Sequence, residues 1–144
     1  MENKTMKIPT WFWVISVTFL LWNLMGVMSF YMHTFITEEA LMALPETERD
    51  LYGQYPLWVD ILFGIAVFAG TLGSIALLMK KKWAKPLFIL SFVTIIIQMF
   101  HNLFMTTAME VYGPASVVMP ILVVLIAGFL IWFSMHGIKK NWLQ

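Results

Sequence analysis

A chain of 144 residues that is 60% apolar and 12% charged, with a mean hydropathy of +0.81, leaves no room for a separate soluble domain. Its length is expected to lie mostly in a bilayer, as one unit. A net charge of +1, spread over short lysine clusters, gives no basic surface for nucleic acid, and the lack of cysteine excludes disulfides, thiolate metal sites and Cys-linked haem.

Four apolar segments stand out: Trp11 to Met32, Trp58 to Met79, Pro86 to Met109 and Ala115 to His136. Each is long enough to cross ~30 Å of hydrocarbon at ~1.5 Å per helical residue. Backbone amides in lipid must be paired within the segment, so stretches of this length are helices rather than barrel strands. The expected fold is therefore an all-α, four-helix transmembrane bundle forming a single domain over residues 1–144.

In chain order, Lys4 and Lys7 precede the first segment as they would a signal peptide. The stretch from Ile8 to Thr37 is uncharged and has no small-x-small cleavage site, which reads as a retained helix. The connection 34–55 is too long for a turn and carries helix signals of its own. Thr37 before Glu38 and Glu39 looks like an N-cap, Pro45 with Glu46 restarts a second short helix, and Gly53 ends it. Leu41, Met42, Leu44 and Leu51 give this segment an apolar side, so it is expected to lie as a flap on the bundle or the membrane.

Pro56 opens the second segment, in which Ala66, Gly70 and Ser74, beside Ala69 and Gly73, form a small-residue face for close helix contact. Pro86 falls in the first turn of the third. Pro120 lies about a turn inside the fourth, so that helix either begins later than hydropathy implies or kinks there. Trp22 alone among the tryptophans falls at mid-membrane, where packing against a neighbour is favoured over ligand stacking.

Charge orients the bundle. Lys4, Lys7, Lys80, Lys81, Lys82, Lys85, Lys139 and Lys140 fall on one side, and Glu38, Glu39, Glu46, Glu48, Asp50, Asp60 and Glu110 on the other. By the positive-inside rule the first set is cytoplasmic, which puts both termini inside and the 34–55 connection outside. The likeness of Lys80-Lys81-Lys82-Trp83 to Lys139-Lys140-Asn141-Trp142 suggests a tandem repeat of helical hairpins.

Polar residues in the membrane mark the candidate site, because such groups are costly in hydrocarbon and usually face the bundle interior. Gln98, His101 and Asn102 share one face of the third helix, and Asn23 lies at similar depth on the first. Asp60, His33 and Glu110 stand nearer the acidic end, and together the set is expected to line an outward-facing pocket or to form hydrogen-bonding glue. His101 is the deepest ionisable residue and, with Asp60, the candidate for proton coupling. His33, His101, Asp60 and Glu110 are suitable metal ligands in type, yet their spacing matches no metal motif. No nucleophile elbow or phosphate loop occurs, so neither an enzyme nor a cofactor is expected.

The runs Ile8 to Ser16, Leu21 to Val27, Lys80 to Ala84 and Glu110 to Pro114 resemble a family of small bacterial four-helix membrane proteins commonly labelled "sugar transporter". The resemblance spans nearly the whole chain and implies a bacterial inner-membrane location. It supplies no defined site to transfer. Small multidrug transporters fit less well because the first helix here has no acid, and semi-sweet sugar transporters because the Pro-Gln motif is missing. The expected function is passage of a small neutral solute, in a homo-oligomer or larger complex. The alternative is an accessory scaffold that uses the Ala66-Gly70-Ser74 face to hold other subunits.

Overall fold

The computed structural model describes residues 8–144, apart from the side chain of Ser116. The expected lysines Lys4 and Lys7 lie outside the described residues. Among the described residues there are seven α-helices: α1 (Thr10–Thr34), α2 (Glu38–Met42), α3 (Glu46–Tyr52), α4 (Leu57–Leu78), α5 (Ala84–Phe104), α6 (Ala108–Tyr112) and α7 (Val118–Lys139). Of these, α1, α4, α5 and α7 are long and apolar enough to cross a membrane. The chain is a multi-pass membrane protein with an all-α four-helix bundle.

The short helices of the 34–55 connection form where their signals stand. Thr37 Oγ1 accepts from the Ala40 amide at 3.0 Å at the start of α2, and α3 runs from Glu46 to a C-cap at Gly53.

The facing ends of the third and fourth spans depart from the hydropathy reading for local reasons. The third span stops at Phe104 instead of Met109. In a continuous helix the Thr107 amide would bond the Leu103 carbonyl, but it donates to Gln54 Oε1 at 2.8 Å, and the short α6 starts afresh at Ala108. The fourth span starts at Val118 rather than Ala115, and runs on to Lys139. Gly113, at φ 75°, redirects the chain into a 3-10 turn over Pro114–Val117. Pro120 thus falls in the first turn of α7, where its missing N–H breaks no helix bond.

The order of packing is α1 on α4, α4 on α5 and α5 on α7. The second span is central, and its small residues make that possible. A Cβ on Gly73 would come 2.7 Å from Phe88 Cε1 of α5, and Ala66, Ala69, Gly70 and Ser74 are all buried. Lipid is as apolar as these side chains, so close packing of this kind, rather than expulsion of water, holds the helices together.

At the basic end α1 and α7 also meet. Phe12 stacks on Phe133 with ring centroids 5.3 Å apart, and Trp142 lies 5.3 Å from Trp11 and 5.5 Å from Phe12. Trp142 and the fully buried Leu143 fold back into a core with Phe88, Leu130 and Leu77. This aromatic cluster plugs one end of the bundle.

The two helix ends compared in the sequence have the same geometry. Lys80 and Asn141 are the described non-glycine residues with positive φ, at 58° and 62°. In each case the next amide reaches back to a carbonyl five residues earlier, Lys81 to Ala76 and Trp142 to Gly137, both at 2.8 Å. Equivalent positions are therefore Lys80 and Asn141, a register two residues away from the one the lysine runs imply. Gln144 ties the two ends together, its carbonyl accepting from Lys82 at 3.0 Å and its amide donating to Lys80 at 2.7 Å.

Candidate functional site

Away from the plug the first and last spans separate. Phe19 and Phe129, 5.6 Å apart, are the ring pair farthest from the basic end that joins α1 to α7. Beyond it a cavity of about 290 Å³ opens between all four spans. Its walls are largely apolar, with Trp22, Phe63, Val67, Ile95 and Val123 among them, and Leu130 and Phe88 of the plug form its floor.

A second cavity of about 320 Å³ lies nearer the acidic end, lined by His33, Tyr55, Asp60, Gln98, Asn102 and Tyr112 among others. Phe63, Gln98, Met99 and Met119 belong to both linings. The two cavities are consecutive, and polar side chains are gathered more densely around the upper one than around the lower.

The sequence-derived residues divide between these chambers and the surrounding protein. Asn23 borders the lower chamber, but its amide is spent within the bundle, donating to the Phe19 carbonyl at 2.8 Å and to Ser74 Oγ at 3.0 Å. Gln98 stands at the junction and makes no side-chain hydrogen bond among the described residues. Asn102 accepts from the Tyr55 hydroxyl through Oδ1, which leaves its NH₂ group for the chamber.

His33 and Asp60 face each other across the upper chamber, Nε2 to Oδ1 at 3.5 Å. The His33 ring also stacks on Tyr52 at 4.9 Å and meets Tyr55 edge-on at 5.2 Å. The flap thus covers the acidic end of α1. Burial holds the Tyr55 phenol above its ordinary pKa of 10.0, so at neutral pH it is a hydrogen-bond donor.

Two expected pocket residues do not line either chamber. His101 is 3% exposed and packs between Trp58, at 5.3 Å, and Tyr55, at 5.7 Å. One helical residue turns the chain by ~100°, so Asn102 lies about 40° and His101 about 60° to opposite sides of Gln98, which separates them. The chambers take Ser91, Ile95 and Met99 from the Asn102 side. Glu110 is exposed on α6 and is part of neither lining. Among the described residues no cluster of His, Cys, Asp and Glu is suited to hold a metal ion.

Sequence reasoning missed Tyr55 and Phe63 as lining residues and gave Trp22 to packing. A tyrosine at the interface looks the same whether its hydroxyl meets headgroups or a chamber, and only the Tyr55–Asn102 bond distinguishes the two. Comparison of the chain with protein-family models, curated proteins and solved structures finds no match. The functional reading therefore rests on the residues and their geometry.

Proposed function

We propose that the protein is a small carrier of a bacterial inner membrane, with both termini cytoplasmic, caught with its cavity open toward the acidic, outer side. Its cargo is a small neutral solute. The observation that carries this reading is that Gln98 and Asn102 turn unspent amide groups into a cavity rather than into neighbouring helices. A group used only as glue would be paired in a dry bundle. The aromatic plug below and the polar mouth above have the form of one closed and one open gate, as alternating access requires.

The scaffold alternative relied on the Ala66-Gly70-Ser74 face, and that face is buried against α1 and α5 within the chain. It is not free to hold another subunit.

The test is uptake of radiolabelled glucose and phenyl β-glucoside into vesicles containing the purified protein. Protein-dependent uptake of at least one is expected, lowered roughly tenfold by Gln98→Leu or Asn102→Leu, since each removes a hydrogen bond worth ~1 to 1.5 kcal/mol. His101→Leu, outside the chambers, should change folded yield more than the rate per folded molecule. Uptake that survives both amide substitutions would overturn the reading.

A further inference from the structure

The two chambers differ in chemistry, and that difference specifies a ligand more closely than "small neutral solute". In the upper one, Gln98 offers a donor and an acceptor, Asn102 a donor, and Asp60 a carboxyl group whose Oδ1 lies 3.5 Å from His33 Nε2. A hydroxylated head, whose groups both donate and accept, satisfies that set. An anionic head would meet the Asp60 carboxylate.

The lower chamber has little to offer such a head. Asn23 has both amide protons committed, to Phe19 and Ser74, and Ser91 donates to the Ala66 carbonyl at 2.7 Å, so that besides the Asn23 carbonyl, Ser29 and the shared Gln98 the lining is apolar. Several sugar hydroxyls placed there would be left unpaired, at a cost of ~1 to 3 kcal/mol each. An alkyl or aromatic tail leaves none.

Access follows from the same geometry. The lower chamber is walled by α1 and α7, which the ring pairs join only from Phe19–Phe129 inward, and Met25 and Met119 at its rim are 65% and 58% exposed on a surface that faces lipid. We infer that the site takes a single-chain amphiphile with an uncharged, hydroxylated head, which slides in sideways from the outer leaflet between α1 and α7. The head occupies the upper chamber and the tail lies along Trp22 and Val123. This inference rests on the carrier reading for what happens next, but binding itself does not depend on transport.

The experiment uses the full-length protein in lipid nanodiscs with an octyl β-glucoside that carries a photoreactive diazirine on its tail, below solubilising concentration. After irradiation, peptide mapping by mass spectrometry should place the label on the cleft-lining peptides around Trp22 to Met25 and Val123 to Ile126. The outward residues Ile61, Leu72 and Ile97 should be labelled far less. Unlabelled octyl glucoside should compete, and octanoate should not. Val123→Trp, which fills the tail site, should lower cleft labelling roughly tenfold, equivalent to ~1.4 kcal/mol of binding.

Label spread evenly over the lipid-facing surface, or equal competition by octanoate, overturns the inference. Uptake of glucose in vesicles without cleft labelling would leave the carrier reading intact and sink the amphiphile. Cleft labelling without any uptake would do the reverse.

Discussion

Asn23 lies so close against Gly70 that a Cβ added to the glycine would overlap the Asn23 Oδ1 atom. The contact joins α1 to α4 at the floor of the lower chamber, beside the Asn23–Ser74 hydrogen bond. Gly70→Ala is therefore expected to destabilise the bundle by ~1 to 3 kcal/mol, as overpacking does elsewhere. Asn23→Ala alone leaves Ser74, which is fully buried, without that partner. Combined, the two substitutions relieve the overlap, so the double variant should lose less than the sum of the single losses. Thermal unfolding of the four proteins in one detergent measures the difference, and strict additivity would show that the two residues do not press on each other.

Gln54 holds the flap to the break between α5 and α6. Its Nε2 donates to Thr107 Oγ1 at 2.9 Å and its Oε1 accepts from the Thr107 amide at 2.8 Å. Gln54→Ala removes both bonds, worth together on the order of 1 to 3 kcal/mol. The expected result is faster tryptic cleavage after Arg49, the one arginine of the chain, by about tenfold or more if cleavage follows local opening. A rate equal to that of the unaltered protein would mean that the flap is held elsewhere.

Burial raises the Tyr55 pKa, and the sign of the resulting pH effect is fixed. Between the unfolded value of 10.0 and the higher folded value, the folded protein binds more protons than the unfolded one, so stability falls as pH rises through that window. Below it the contribution is fully present. The melting temperature should thus drop on the alkaline side of 10.0, and Tyr55→Phe should reduce the drop. The variant lacks the bond to Asn102 and is therefore less stable below the window, so the slope across it is the informative quantity.

The spans were legible because the physics that fixes them is summed over some twenty side chains, and single residues change little. Their ends were less so. Nothing in the apolar run through Met105 to Met109 reveals that Gln54, distant in sequence, takes the Thr107 amide and stops the helix. Gln98 and Asn102 were legible as inward-facing polar residues, whereas His101 could not be separated from them by spacing alone. Residues at i+3 and i+4 share a face only loosely, and a cavity edge that falls between them divides the pair. The joining of a polar to an apolar chamber depends on where α1 and α7 part, which is a property of the aromatic plug and not of any one segment.

Orientation is the last expectation open to a direct test, and the composition makes the test clean. The chain has no cysteine, so a single introduced thiol reports without background. Glu46 is exposed on the flap, and Lys140 is exposed at the opposite end of the bundle, just after α7. If the lysine-rich end is cytoplasmic, a membrane-impermeant maleimide added to intact bacterial spheroplasts should label Glu46→Cys and spare Lys140→Cys until the cells are lysed. Both substitutions change exposed residues, so neither should disturb folding by more than about 0.5 kcal/mol. The opposite labelling pattern would invert the protein in the membrane, turn the polar chamber toward the cytoplasm and make the aromatic plug the outer gate.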